Sequence, residues 1–447
     1  MKDFTSGNVS KLIFNFTLPM LLGNVFQQLY NVVDSIVVGK VLGKEALASV
    51  GASFPIIFTL IALLIGIGSG FSIVISQFYG AKDIGSVKRS IDTMYIFLFF
   101  AGLVVSILGI YYSKELFLLL QLPIELIPQA TTYLNVYMAG MILFFGFSGT
   151  SSVLRGLGDS KTPLYFLIIA SVFNILFDVL FVMIFKWGIA GAAWATVIAQ
   201  GGAFISGIIY LNRTHKIMKF SLMKLVFDKE LFIKSLKIGL PSGVQHTFVA
   251  LGMMALLGIV NTFGTDVIAA YTAAGRIDSL AMMPAMNFSQ AVAAFVGQNL
   301  GANKIDRVRK GFKATFFMSN LFCLLMTAII VIFGSQLMKM FTTDPNVIAI
   351  GEKYLIIVSS FYLLFSTLFT TNGVLRGAGD TLIPMFITLF SLWIIRIPGA
   401  YFLSAEIGET GIWWSIPFGW SMGALLSYLY YLTGKWKSKS IIQHPTS

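Results

Sequence analysis

Apolar stretches long enough to cross a bilayer recur about twelve times along this chain. They lie at 12–38, 46–78, 91–112, 127–153, 162–185, 188–211, 236–260, 272–298, 314–335, 350–373, 382–404 and 411–433. A spanning helix needs roughly 20 such residues, because hydrocarbon offers no water to satisfy a bare backbone. With 57% hydrophobic and only 11% charged residues, a 447-residue chain lacks the polar surface to enclose all of this in a water-facing fold. The expected fold class is therefore an all-α polytopic membrane protein of about 12 transmembrane helices in two six-helix pseudo-symmetric lobes. The first stretch lacks a short apolar core with a small-residue cleavage site and reads as a retained span. The single cysteine, Cys323, has apolar neighbours and reads as packing.

A net charge of +12 invites a nucleic-acid reading, but the placement of the charges argues against it. One side of the expected membrane gathers Lys82, Lys88, Arg89, Arg155, Lys161, Arg213, Lys304, Arg307, Arg309, Arg376, Lys435 and Lys437, among others. The other side carries only Lys40, Lys44, Lys114, Lys186, Lys339 and Lys353. By the positive-inside rule both termini are cytoplasmic, in a multi-pass protein of the cell membrane. The charge reports topology, and no nucleic acid is expected as a partner.

The chain is also copied within itself. Val153-Leu154-Arg155-Gly156-Leu157-Gly158-Asp159 returns 221 residues later as Val374-Leu375-Arg376-Gly377-Ala378-Gly379-Asp380. Pro163 recurs as Pro384, and Gln77-Phe78-Tyr79-Gly80-Ala81 as Gln298-Asn299-Leu300-Gly301-Ala302, at the same shift. Leu18-Pro19 near the start of one half pairs with Leu240-Pro241 in the other. A period of half the chain means a duplicated bundle, not a solenoid. The expected division is an N-terminal lobe at 1–211, a basic amphipathic linker on the cytoplasmic interface at 212–235, and a C-terminal lobe at 236–447. The linker's apolar residues are Phe220, Leu222, Leu225, Val226, Leu231 and Phe232. Parallel repeats of this kind place substrate between the halves and rock between two open states.

The short polar connections leave no room for a catalytic domain, so no enzyme activity and no cofactor are expected. Gly158-Asp159-Ser160-Lys161-Thr162 lacks the earlier glycine of a phosphate-binding loop, and its duplicate has Leu382 in place of the lysine. The two Arg-Gly-x-Gly-Asp segments read as tight turns in which Arg155 and Asp159, and Arg376 and Asp380, are available to pair.

Two acids inside the apolar stretches carry the chemistry. Asp34 ends the first stretch, and a charge at mid-bilayer costs about 2.5–3.5 kcal/mol on insertion scales. Asp178 lies in the fifth, one helical turn after Asn174, so the two project from one face. An amide beside a carboxyl group can hydrogen-bond the protonated acid or add a neutral oxygen for a small cation. The same pair would also serve as helix–helix glue. In the next stretch the small residues Gly188 to Thr196 allow close helix approach, bringing Thr196 within reach of a shared polar site. Shifted by about 221 residues, Asp34 falls on Ala255 or Leu256, Asn174 on Ile395 and Asp178 on Gly399. The carboxylate set thus reads as confined to the N-terminal half, which glue alone does not explain. Arg396, in the eleventh stretch, sits near an interface or pairs with backbone carbonyls.

These features together resemble the multidrug and toxic compound extrusion (MATE) family over essentially the whole chain. The resemblance is carried by the duplicated V-L-R-G-x-G-D turns, the Q-L-Y-N-V-V-D-S-I-V-V-G segment at 28–39 and the Q-x-Y-G-A segment. The N-half acids are similar to the DinF-type branch, where a bent first helix and an acid-lined cavity couple cation binding to export. That resemblance makes Pro19 the hinge. It places Asp34, Asn174, Asp178, Thr196 and Tyr133 on the ion-coupling site for a proton or for Na+. The seventh-span glutamate of NorM-type members is absent around Gln245 and His246, which puts a C-lobe sodium site of that type in doubt.

The function this implies is a secondary antiporter exporting lipophilic or cationic drugs and toxic compounds by alternating access, driven by H+ or Na+ entry. Candidate substrate-cavity residues are Gln27 and Asn31, which share a face with Asp34, and Gln245, Met253, Met282, Met286 and Asn287, since adaptable Met walls suit varied apolar ligands. Small lipophilic molecules and membrane lipids are the expected partners of a monomeric protein. The competing reading is a flippase for lipids or lipid-linked oligosaccharides in the same broader superfamily. An anionic headgroup would require several cavity cations, and only Arg276 and Arg396 lie within the apolar stretches.

Overall fold

The computed structural model describes residues 2–214, 220 and 224–442, and the described chain is helical almost throughout. In order, the helices are α1 (Val9–Val37), α2 (Lys44–Gly80), α3 (Ile84–Tyr111), α4 (Ser113–Leu119), α5 (Ile127–Ala139), α6 (Met141–Gly156), α7 (Lys161–Asp178) and α8 (Gly188–Thr214). The second half repeats the series as α9 (Lys229–Asn261), α10 (Thr265–Gly301), α11 (Ile305–Lys339), α12 (Pro345–Ser359), α13 (Tyr362–Gly377), α14 (Leu382–Leu389), α15 (Ile397–Ile407) and α16 (Glu409–Leu432).

Among the described residues nine helical stretches are long and apolar enough to cross a membrane, and counting the bent pairs α5–α6 and α12–α13 as one span each brings the number to 11. The twelfth expected span corresponds to α16, whose 24 residues reach across but whose Trp, Tyr and Ser content lowers its hydropathy. The pairs expected as straight spans at 127–153 and 350–373 are instead bent by 51° and 49°. The breaks fall at Gly140 and at Ser360–Phe361, at matching places in the two halves.

Among the described residues three π-helical turns interrupt the helices: Val38–Leu42, Val179–Ile184 and Phe390–Arg396. Such turns widen the helix by one residue and concentrate at functional sites. Here the first follows Asp34 by four residues, the second follows Asp178 directly, and the third ends on Arg396.

The chain forms two compact units. Unit 1 comprises Met1–Lys2 and Leu18–Gly243, and unit 2 comprises Asp3–Thr17 and Val244–Ser447. The division cuts α1 just before Pro19 and α9 just after Pro241, so the expected lobes differ from the compact units in the ends of their first helices. Within unit 1 the core gathers Phe71, Ile91, Met94, Leu134 and Met138. Gly66 lies directly against the backbone of Gly243, and Gly70 against that of Gly239, so that α2 and the start of α9 pack main chain to main chain. Within unit 2 the core gathers Leu256, Val260, Tyr354, Tyr362 and Trp413. There the segment at Asp3–Thr17 is anchored by Arg307, which donates to the carbonyls of Phe4 (3.0 Å) and Gly7 (3.1 Å).

The linker expected over 212–235 is shorter. Asp228 accepts from the N–H groups of Glu230 and Leu231 and starts α9 at Lys229. Asp228 also meets Arg89 at 3.3 Å. Phe220 packs edge-on against Tyr95 at 5.0 Å. Leu222 lies outside the described residues.

The duplicated turns close α6 and α13 identically. Gly158 (φ +80°) and Gly379 (φ +91°) take the left-handed conformation. Asp159 N–H and Asp380 N–H then reach back to the carbonyls of Leu154 (2.8 Å) and Leu375 (3.0 Å). Arg155 donates to Ser152, Asp159 caps α7 through Thr162, and Asp380 accepts from Tyr430.

Candidate functional site

Unit 1 brings its two intramembrane acids together. Asp34 on α1 and Asp178 at the end of α7 meet at hydrogen-bonding range. Asp178 is fully buried, Asp34 half-buried, and each keeps one buried carboxyl oxygen without a protein partner. Among the described residues neither is ion-paired. The pair therefore lacks the built-in compensation that buried charges ordinarily require.

Asn174 sits one turn before Asp178 on the same face, 2% exposed. Its amide nitrogen bonds Thr196 Oγ1 at 3.2 Å, which leaves its carbonyl facing Asp178. Turned over, it donates to Asp178 Oδ2 and accepts from Thr196 N–H and O–H, all at 3.2 Å. The first orientation sets oxygen against oxygen and needs a proton or a cation between them, whereas the second satisfies the acid by amide donation. Thr196 also donates to the carbonyl of Ala192 at 3.3 Å, the ordinary bond of a threonine to its own helix. Asp34, Asn174, Asp178 and Thr196 thus assemble from three helices.

Tyr133, on the first arm of the bent α5–α6 pair, is buried within electrostatic reach of both acids. Two further tyrosines join it. Tyr30 lies one turn before Asp34 and within electrostatic reach of it, and Tyr137 packs on Tyr133 with ring centroids 6.2 Å apart. Neither was singled out by the sequence reading, although their spacing, Tyr30 to Asp34 and Tyr133 to Tyr137, is the signal that finds them. Among the described residues no group of three or more His, Cys, Asp or Glu could hold a metal ion. A small hard cation would draw instead on the carboxylate, amide and hydroxyl oxygens just described.

The remaining candidates are more dispersed. Gln27 and Asn31 are exposed on α1 in unit 1. In unit 2, Gln245 donates to Thr388 Oγ1 at 2.6 Å, and Asn287 to the carbonyl of Met283 at 2.9 Å. Met253 and Met286 are exposed, while Met282 is half-buried against the core. Pro19 is buried inside an α1 that runs through it without a break in helix.

The expectation that intramembrane acids belong to the first half alone is corrected. Asp278 on α10 is buried in unit 2, where Tyr354 donates to one carboxyl oxygen at 3.2 Å and Tyr362 to the other. Arg396 lies within electrostatic reach of the same acid. Asp278 falls inside the stretch expected at 272–298, so a count of charges per span would have found it. Asp92, also buried, is different in kind, because Lys88 pairs with it at 2.6 Å one turn away.

Comparison with known proteins adds to this geometry. The sequence profile of the MatE family matches residues 19–180 and again 241–402, one copy in each half. The chain is 35% identical over 439 residues to the probable multidrug resistance protein YpnP of Bacillus subtilis (strain 168), covering 98% of both. It is 33% identical over 435 residues to the probable multidrug resistance protein YoeA of the same organism, covering 95% of this chain and 94% of that one. In structure it resembles the outward-facing conformation of a multidrug resistance MATE family transporter of the MOP superfamily. The TM-score is 0.90 at 24% identity, over 97% of this chain and 98% of that one.

Proposed function

Because this chain belongs to the MatE family, and so stands among membrane transporters rather than enzymes, we propose that it is a multidrug exporter of the DinF type, a secondary antiporter coupled through Asp34 and Asp178. The observation that carries this reading is the acid pair itself, a buried carboxyl group from α7 and a half-buried one from α1 with no ion-pair partner among the described residues. Two carboxylates in contact cannot both stay ionised unless a proton or a cation sits between them. Entry of one such charge down about 100 mV releases roughly 2.3 kcal/mol, enough to sustain a forty- to fifty-fold substrate gradient without ATP.

In this reading Asn174, Thr196 and Tyr133 complete the ion site, and occupancy is passed along α1 to Pro19. The proline removes a backbone hydrogen bond from a helix that must flex, which makes it the hinge. Gln27, Asn31, Gln245, Met253, Met282, Met286 and Asn287 line the path of lipophilic or cationic substrates, in a monomer with both termini in the cytoplasm. The names of the two Bacillus relatives, both probable multidrug resistance proteins, support drug-like substrates over lipid-linked oligosaccharides.

The test is efflux from proteoliposomes with proton and sodium gradients imposed separately, across a panel of cationic dyes and drugs. One gradient should drive export by the wild-type protein and neither should drive it in Asp34→Asn or Asp178→Asn. Wild-type export by either variant overturns the coupling role, and movement of a lipid-linked oligosaccharide in place of every panel member favours the flippase.

A further inference from the structure

The duplicated segment Gln298-Asn299-Leu300-Gly301-Ala302 takes no part in the ion site, and unit 2 gives it a different partner. It closes α10 and, with Lys304 and Arg307 at the start of α11, grips the stretch of chain that leads into α1. The Phe4 N–H donates to Gln298 Oε1 at 3.0 Å, and the Phe4 carbonyl accepts from Asn299 Nδ2 at 3.1 Å and from Arg307 Nη2 at 3.0 Å. Arg307 Nη1 donates to the carbonyl of Gly7 at 3.1 Å, and Lys304 Nζ to that of Thr5 at 2.9 Å. Arg307 Nε donates to Asn299 Oδ1 at 3.1 Å, so all three guanidinium nitrogens are engaged. The Phe4 side chain is 1% exposed and meets Phe16 edge-on at 5.1 Å.

A chain terminus frays unless something ties it down, and these ties go to main-chain atoms, which fixes the path of the segment itself. The held stretch ends beside the proline. Asp3–Thr17 belong to unit 2, while Leu18 onward, with Pro19 and Asp34, belongs to unit 1. The second half repeats the arrangement with other residues. Its first helix, α9, belongs to unit 1 as far as Gly243, just past Pro241. Ahead of α9, the Asp228 N–H donates to Thr93 Oγ1 at 2.9 Å, and Arg89 meets the Asp228 carboxylate at 3.3 Å. In each half, an arginine from the first two turns of α3 or α11 thus holds the approach to a proline-bearing helix. A proline weakens a helix at one point, but flexing there moves the far end in a defined direction only when the near end is held.

We infer that Arg307, with Asn299 and Gln298, is a positioning clamp for export: it fixes the base of α1 in unit 2, so that a change at Asp34 flexes α1 at Pro19 against a held end. Without the clamp, ions still bind at Asp34 and Asp178, but the flexing is taken up by the slack end of α1 and export stalls. Arg307 stands outside the ion site and acts through the main chain of Phe4 and Gly7. Its planar fork reaches two carbonyls and an amide at once, which the single ammonium of a lysine does not reproduce. The inference rests on the reading of Asp34 and Asp178 as the coupling site.

The experiment takes two readings on the full-length protein. One is ion uptake in detergent, with protons and sodium-22 measured separately. The other is the maximal export rate in proteoliposomes of whichever of ethidium and rhodamine 6G the wild type carries. Arg307→Ala/Asn299→Ala should keep uptake within about twofold of wild type and lose about tenfold or more in export. Arg307→Lys preserves the charge on its side of the membrane but not the fork, and should lose about threefold or more in export with uptake unchanged. Wild-type export by the double variant overturns the inference. Equal loss of uptake and export also overturns it, since that marks a merely structural role, and wild-type export by Arg307→Lys overturns it in favour of charge alone. Should the double variant not fold, Arg307→Lys decides by the same criteria. If uptake does not depend on Asp34 and Asp178, the reading of unit 1 fails, and the clamp is judged on export alone, which must still fall. A wild type that exports neither dye under either gradient overturns the exporter reading and the clamp together.

Discussion

The two units answer the same physical problem, a buried acid in an apolar bundle, in opposite ways. In unit 1 Asp34 and Asp178 face each other, and each retains a buried oxygen without a protein partner. In unit 2 Asp278 has a tyrosine on each oxygen and an arginine nearby. Satisfied charges rigidify a core, whereas unsatisfied ones mark places where something must come and go. The duplication makes the contrast informative, since Tyr133 and Tyr354 stand at matching positions of the two halves while the acids beside them do not.

The comparison breaks first at the acids. Asp34→Asn or Asp178→Asn should abolish uphill export, from the roughly forty-fold gradient that about 100 mV sustains to none. Melting in detergent should show that the fold survives. Asp278→Asn should do the reverse, weakening the tyrosine hydrogen bonds in unit 2 and destabilising it by about 1–3 kcal/mol. Thermal unfolding monitored by tryptophan fluorescence reads this loss, because Trp413 and Trp420 lie in the same core.

Tyrosine variants sharpen the contrast. Tyr362→Phe removes one donor to a buried acid and should cost about 1.5–3 kcal/mol of stability with little effect on export. Tyr133→Phe should slow export more than it lowers the melting temperature. The smallest effect belongs to Asp92→Asn. Its partner Lys88 is about one-third exposed, and the loss should stay within about 1 kcal/mol by the same unfolding assay.

Much of this was legible in the sequence, for identifiable reasons. Span lengths follow from bilayer thickness, and the repeat shows itself in recurring glycines whose positive φ no other residue tolerates as well, as at Gly158 and Gly379. Asp34, Asn174 and Asp178 stand out in the sequence because a charge or amide in an apolar helix is costly, and Thr196 through the small residues that precede it. What periodicity does not carry is where helices break and which distant faces meet. The bend at Gly140 places Tyr133 and Tyr137 beside the acids, although nothing local to 127–153 announces it. Asp278 finds its tyrosines 76 and 84 residues away, through packing of α10 with α12 and α13. The division of α1 and α9 between the units likewise depends on tertiary contacts, such as that of Gly66 with Gly243.

The asymmetry between the units is tested most directly by counting coupling ions bound to wild type, Asp34→Asn, Asp178→Asn and Asp278→Asn side by side. Uptake should vanish in the first two variants and persist in the third. Uptake that survives in Asp34→Asn, or disappears in Asp278→Asn, contradicts it.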